Sequence, residues 1–73
     1  MQDKEFLFKL GQKIRILRTK KGYSQNGLAN KANGEKTHIG DIELGKTNPS
    51  IIYLKQIADA LECDISELLK FTI

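Results

Sequence analysis

The 73-residue sequence predicts an all-α domain of five short helices. Apolar residues recur at spacings of three and four, which is the period of one helix face, and no segment alternates convincingly as a strand does. Glycines and hydroxyl residues stand where helices should end and begin. No internal repeat, low-complexity segment or interdomain linker is visible, so residues 1–73 are expected to form a single domain.

The first helix is expected from about Lys4 to Lys20. Its buried stripe should comprise Leu7, Leu10, Ile14 and Leu17. Three further apolar residues lie partly off this stripe and either widen the buried face or meet another chain: Phe6, Phe8 and Ile16. Gly22, which follows two lysines, is the expected helix stop, and Tyr23 should enter the core at the corner.

A helix-turn-helix is predicted over about residues 24–43. Ser24 is a favourable N-cap for a second helix, in which Leu28, Ala29 and Ala32 should face the core. A turn containing Asn33 and Gly34 leads to a third helix that begins at Glu35 or Lys36 and ends at Leu44, before Gly45. The third helix is the candidate reader of DNA, because Ile39 and Ile42 turn inward while other positions face out: Lys36, Thr37, Gly40 and Asp41.

Two more helices are expected after the loop of Thr47, Asn48 and Pro49. Ser50 should cap a fourth helix that runs to about Leu61. The inward positions of this helix are expected to be Ile51 or Ile52, Leu54, Ile57, Ala58 and Leu61. Asp64 and Glu67 have the spacing of a capping box for a last short helix. That helix should contain Ile65, Leu68, Leu69 and Phe71.

The formal net charge is +3, but it is unevenly distributed. Residues 9–48 carry nine Lys or Arg and three Asp or Glu, a net charge of +6, and both flanking segments are net negative. Lysines scattered over a surface can simply favour solubility. Here the positive segment coincides with the helix-turn-helix, which favours a polyanionic partner such as DNA.

Other classes of function find little support. The single Cys63 cannot form an internal disulfide, and neither it nor His38 has companions at metal-ligand spacing. We expect Cys63 to fill space in the core and His38 to lie at or near the surface. No phosphate-binding loop, paired carboxylates or activated nucleophile is visible, so neither an enzyme nor a cofactor is expected. Without an apolar run of about 18 residues, the sequence predicts a cytoplasmic protein with no membrane partner.

From Leu10 to Leu69 the sequence resembles the Xre-type, phage repressor and Cro-like family of helix-turn-helix domains. The resemblance rests on a set of spaced residues: Ile14, Arg18 and Gly22; Ser24-Gln25 and Leu28-Ala29; Ile39 with Ile42-Glu43; Gly45; Asn48-Pro49-Ser50; Leu54, Ile57-Ala58 and Leu61. It implies a compact, lambda-repressor-like bundle that binds DNA as a homodimer and regulates transcription. The chain departs from the family at Gly34, where an apolar residue is common, and at Glu35, where a small polar N-cap is common. Gly27 is also unusual.

By position in the motif, the base-contacting set should be Lys36, Thr37 and Asp41, with His38 or Gly40 close to the groove. Lysine can donate to guanine, threonine can offer a methyl group or a hydroxyl, and aspartate can accept from cytosine. The alternative for Lys36, Thr37 and Asp41 is ordinary solvent exposure.

Phosphate contacts are expected from residues near the two motif helices: Arg18, Ser24, Gln25, Lys46, Thr47 and Asn48. Gln25 should also brace the reading helix, and Lys46 could instead interact with the dipole at the end of that helix. The resemblance further implies a partly buried salt bridge between Arg18 and Glu43, in which case Arg18 is structural first and a DNA ligand second.

The sequence therefore predicts a DNA-binding regulator that covers a pseudo-palindromic operator as a homodimer. The C-terminal helices are the expected dimer contact, because that contact must leave the basic face free, although Phe6 and Phe8 could contribute instead. Such a protein would act by blocking RNA polymerase or by touching it. The sequence does not separate a restriction-modification controller, a phage-type repressor and an antitoxin. The alternative is a protein-interaction module whose helix-turn-helix is mainly a scaffold. In that case the apolar surface of helices four and five, with Phe71 and Ile73 beyond it, should dock on another protein.

Overall fold

The computed structural model describes residues 2–71 and contains five helices in that range. They are α1 (Asp3–Lys20), α2 (Gln25–Lys31), α3 (Lys36–Glu43), α4 (Ile51–Ala60) and α5 (Ile65–Leu68). No strand occurs among the described residues. The predicted all-α, five-helix class is confirmed, and the bounds of the four longer helices lie close to those expected. Ile73, which was expected to extend the C-terminal surface, lies outside the described residues.

One core is formed by the apolar stripes of all five helices. The largest fully buried apolar side chains are Ile14, Leu28, Ile39, Ile42, Ile57, Leu61 and Leu68. Small residues of α2 and its C-cap, Ala29 and Ala32, are buried beside them, as predicted. Leu17, Tyr23 and Cys63 are half-buried and pack against this core. Burial of apolar surface from every helix is the main force that holds such short helices together.

The four longer helices end in the same backbone motif. After α3, the Gly45 N–H donates to Ile42 O at 3.0 Å and the Lys46 N–H donates to Asp41 O at 2.9 Å. These bonds satisfy carbonyls that the helix itself leaves free. The motif places one residue after each helix in the left-handed region: Gly22, Asn33, Gly45 and Glu62. The sequence indicated the first three, whereas a glutamate with φ 59° carries no such signal.

The predicted serine caps of α2 and α4 are confirmed. Ser24 Oγ accepts from the Gly27 N–H at 2.9 Å, and Ser50 Oγ accepts from the Tyr53 N–H at 3.0 Å. The predicted capping box of α5 is wrong, because the Asp64 side chain makes no cap hydrogen bond.

The Glu67 carboxylate, which the capping box required, bonds elsewhere. It lies 3.2 Å from Lys13 Nζ and 3.7 Å from Lys70 Nζ. The two lysines hold the carboxylate away from the start of α5, and the ion pair with Lys13 connects that helix to α1.

The expectation that Ile51 or Ile52 of α4 faces the core is also wrong. Ile51 and Ile52 are 63% and 62% exposed, because in the first turn of α4 no neighbouring helix covers them. Leu69, expected inside α5, follows its last residue and is exposed. The surface at this end of the molecule is therefore more apolar than the sequence pattern indicated.

The backbones of α1 and α3 touch at Gly11. A Cβ atom on Gly11 would meet Ile42 O and would lie 2.6 Å from Glu43 O, closer than a Cβ atom can approach a carbonyl oxygen. Gly45 is similarly close to α1, because its Cβ would lie 2.8 Å from Phe8 Cα. The position of α3 on α1 thus depends on two glycines with no room for a side chain.

We expect Gly11→Ala to lower the free energy of unfolding by about 1–3 kcal/mol, because the added methyl group must push two helix backbones apart. Gly40→Ala is the matched control, since its Cβ would meet Gln25 Oε1 at 3.6 Å, an ordinary contact. The control should gain up to about 1 kcal/mol from the higher helix propensity of alanine. Urea unfolding followed by circular dichroism measures both, and equal stabilities would contradict the role of Gly11.

Candidate nucleic-acid interface

The exposed side of α3 forms one wall of a shallow groove. Lys36 and Thr37 are exposed, and Gly40 and Asp41 are half-buried. Residues of α1 and α2 complete the groove, whose lining consists of Arg15, Arg18, Gln25, Lys36, Thr37, Gly40, Asp41, Glu43 and Leu44. Four of the five predicted base-contacting residues therefore share one surface.

His38, the fifth of these residues, is not part of the groove lining. Its half-buried ring lies against Tyr53 of α4, with the ring centroids 4.9 Å apart and the planes tilted by 34°. This places His38 at the side of α3 that faces α4. In residues 2–71 no group of three or more His, Cys, Asp or Glu side chains could hold a metal ion.

The Glu43 carboxylate, at the last residue of α3, joins three helices. Arg18 Nε donates to Glu43 Oε2 at 2.6 Å and Arg18 Nη2 donates to Glu43 Oε1 at 3.1 Å. Gln25 Nε2 donates to the same Oε1 at 3.1 Å. Arg18 is only 9% exposed, and its Nη1 also donates to Tyr23 O at 2.8 Å. With three nitrogen atoms engaged, the geometry favours a structural role for Arg18 over a phosphate contact.

The side chain of Gln25 lies between the buried pair and the groove. While its Nε2 bonds to Glu43, its amide group lies beside Gly40. This half-buried glutamine therefore connects the start of α2 to the reading face of α3. Ser24, immediately before it, is exposed and uses its hydroxyl oxygen as the helix cap.

The loop after α3 carries three of the predicted phosphate contacts. Lys46 and Asn48 are exposed, Thr47 is half-buried, and Pro49 is buried and anchors the loop. Lys46 forms no ion pair among the described residues, so its ammonium group is available to an external anion.

Arg15 is a candidate contact that the sequence analysis missed. It is exposed on α1 and lines the groove together with Lys36 and Asp41. A signal was present, because Arg15 precedes Arg18 by three residues and such residues share a helix face.

Cys63 is half-buried beside the core. Burial, assisted by the charges of Glu67 and Asp64, raises the pKa of its thiol. The protonated thiol is therefore favoured, which agrees with a space-filling role and argues against a reactive thiolate. Within the described part of the chain, no helix is long and apolar enough to cross a bilayer.

Comparison with known proteins finds a matching family model and several similar regulators. A family model described as Helix-turn-helix (HTH_3) matches residues 14–68. The HTH-type transcriptional regulator SlrR of Bacillus subtilis (strain 168) is 42% identical over 60 residues, which make up 81% of this chain and 40% of SlrR. The chain spans 55% of the related regulator SinR, so it covers about half the length of these curated relatives.

Two solved structures share the fold at higher coverage. The restriction-modification controller protein C.AhdI from Aeromonas hydrophila superposes with a TM-score of 0.84 at 39% identity, covering 85% of this chain and 94% of C.AhdI. SinR, the master regulator for biofilm formation, crystallised in complex with DNA, superposes with a TM-score of 0.78 at 39% identity. That match covers 84% of this chain and 98% of the SinR chain.

Replacing Glu43 by Gln should lower the free energy of unfolding by about 3–5 kcal/mol, because the Arg18 guanidinium would remain buried without its counter-charge. The matched control is Asp59→Asn, which removes the carboxylate of an exposed pair in which Lys55 Nζ lies 3.0 Å from Asp59 Oδ2. An exposed pair on one helix contributes about 0.3–0.5 kcal/mol. Urea titration of both variants checks the difference, and a Glu43→Gln protein as stable as wild type would refute the structural role of the pair.

Proposed function

Because the chain belongs to the HTH_3 helix-turn-helix family, we propose that it is a sequence-specific transcriptional regulator that binds a pseudo-palindromic operator as a homodimer. The family and the named relatives are transcriptional regulators and DNA-binding domains, not enzymes. The observation that carries the proposal is the groove along α3. Its lining includes exposed cationic and hydroxyl side chains, among them Arg15, Lys36 and Thr37.

Base contacts are assigned to the outward residues of α3. Lys36 and Thr37 are exposed in the first turn of the helix, the part that approaches base edges in this motif. Lysine can donate to guanine O6 and N7, and threonine can pack its methyl group on thymine. Asp41, one turn further on, can accept from cytosine N4. Gly40 leaves space at the centre of the face, and His38 lies at its margin.

Phosphate contacts are assigned to the residues around the groove. Arg15, Lys46 and Asn48 are exposed and project from α1 and the loop after α3. Ser24 is also exposed, whereas Gln25 and Thr47 are half-buried, and all three can position the DNA backbone through neutral hydrogen bonds. Glu35 is exposed as the N-cap of α3 and makes no cap hydrogen bond, so its charge would oppose nearby phosphates.

The dimer contact is assigned to the C-terminal helices. Ile51 and Ile52 are exposed at the start of α4, and Ile65 of α5 lines the same apolar depression. An exposed apolar cluster of this kind is typical of an interaction surface. A two-fold contact here would leave the groove free and would present one α3 to each of two major grooves about 34 Å apart. A dimer bound across a promoter would act by blocking RNA polymerase or by contacting it.

If the protein is a dimeric regulator, the wild-type protein should enrich a duplex with a two-fold-symmetric sequence from a randomised pool. Lys36→Ala and Thr37→Ala should each weaken binding to this duplex by about 1–3 kcal/mol, because each removes a base contact. Affinity should also fall steeply as salt is raised, because phosphate contacts release counterions. Fluorescence anisotropy at two salt concentrations measures both effects.

Lys21→Ala is the matched control for the loss of a lysine, because Lys21 is exposed at the C-cap of α1 and pairs with Glu62, away from the groove. It should bind the selected duplex as wild type does. If no sequence is enriched and binding is weak at low salt, the motif is a scaffold for protein interactions instead.

Ile52→Glu should shift the protein from dimer to monomer in sedimentation equilibrium, because an unpaired carboxylate would be buried in the proposed contact. Phe8→Glu makes the same change at a half-exposed apolar residue of α1, the alternative contact, and should leave the dimer intact. The reverse result would move the interface to α1, and a wild-type protein that sediments as a monomer would exclude a stable dimer.

A further inference from the structure

Tyr53 of α4 contacts the residues on both sides of the start of α3, Gly34 before the helix and His38 in its first turn. On one side its phenol group meets Gly34 in the turn before α3. A Cβ atom on Gly34 would meet the Tyr53 hydroxyl oxygen and would lie 2.7 Å from Cζ. On the other side the Tyr53 ring lies on His38, the third residue of α3. Lys36 and Thr37 are therefore bracketed by two contacts with one side chain.

The contact with Gly34 depends on space and not on an unusual backbone conformation. The left-handed residue of this turn is Asn33, with φ 56°, and Gly34 is not among the glycines with positive φ. Any side chain at position 34 would occupy the volume now filled by the phenol ring. The Tyr53 ring can therefore occupy its place only because Gly34 has no side chain.

We propose that Tyr53 is a positioning residue for sequence recognition: seated against Gly34 and stacked on His38, its ring fixes where Lys36 and Thr37 meet the bases. This inference rests on the proposed function. Base readout requires donors and acceptors to be held within a few tenths of an ångström, and side chains locked by packing behind the contacting residues provide that. α3 packs mainly against α1 and α2, and Tyr53 brings α4 to its first turn as well.

Packing of the Tyr53 ring can be tested separately from hydrogen bonding by its hydroxyl group. The oxygen is buried and has no hydrogen-bond partner among the described residues. Burial also raises the pKa of Tyr53, so the group stays neutral. Removal of an unpaired buried hydroxyl is not expected to weaken the fold. Tyr53→Phe should therefore keep the position of α3, whereas Tyr53→Leu should lose it.

The test compares affinity for the duplex selected by the wild-type protein with affinity for an unrelated duplex, both by fluorescence anisotropy. Tyr53→Leu should reduce the ratio of the two affinities about tenfold, the size of one lost base contact. Tyr53→Phe should keep the wild-type ratio. Affinity for the unrelated duplex should change little in either variant, because phosphate contacts dominate it. Circular dichroism at the binding temperature verifies that each protein is folded.

Tyr23→Leu is the matched control, because it makes the same change at the other tyrosine of the chain, which packs against the core near Lys31. It should lower stability without changing the affinity ratio. If Tyr53→Leu does not fold, Gly34→Ala replaces it, since the new methyl group displaces the ring instead of deleting it.

The outcomes are distinguishable. A reduced ratio in folded Tyr53→Leu or Gly34→Ala, with Tyr53→Phe unchanged, supports the positioning role. A wild-type ratio in those variants, or an equal reduction in Tyr23→Leu, overturns it while the proposed function stands. A wild-type protein that prefers no sequence overturns the proposed function, and the positioning role with it.

Discussion

The carboxylate of Glu43 is the group on which the arrangement of the first three helices depends. It is 2% exposed, and both of its oxygen atoms accept hydrogen bonds, from Arg18 of α1 and Gln25 of α2. A buried charge costs several kcal/mol unless it is paired and fully bonded. The last turn of α3 can therefore lie only where an arginine and a glutamine meet it. An apolar core alone would leave this orientation less strictly defined.

Close backbone contacts reinforce the same constraint. Gly11 and Gly45 bring the end of α3 against α1 with no intervening side chain, and Tyr53 supports the beginning of α3 through Gly34 and His38. α3 is thus held at both ends, while its outer face makes few contacts with the rest of the domain. A short helix of this kind gains little stability from its own propensity and takes its order from its neighbours. The outward side chains of α3 are therefore not needed to hold the helix in place and are free to contact a partner.

Most of the fold was predictable from local signals, and the site only in part. Ser24 and Ser50 act within one helical turn, and Gly22 and Gly45 act on their own backbone, so sequence spacing reveals them. The roles of Gly11 and Tyr53 depend on residues 15 or more positions away, which no periodicity encodes. Arg15 could have been found from its three-residue spacing to Arg18, although a charge on a helix does not by itself show which neighbour it faces. Ile51 and Ile52 had the correct period, but the core ends before it reaches them.

The fold also sorts the basic residues that the sequence shows as one positive segment. Lys13 pairs with Glu67 and Lys21 pairs with Glu62, so acidic residues of the C-terminal segment neutralise lysines away from the groove. The charge of Arg18 is neutralised by its ion pair with Glu43. Arg15 and Lys36, which line the groove, form no ion pair among the described residues. The positive charge at the groove therefore comes from fewer residues than the composition suggests, chiefly Arg15 and Lys36. Because screening weakens at short distance, those two cations would decide the orientation of DNA in the proposed complex more than the net charge does.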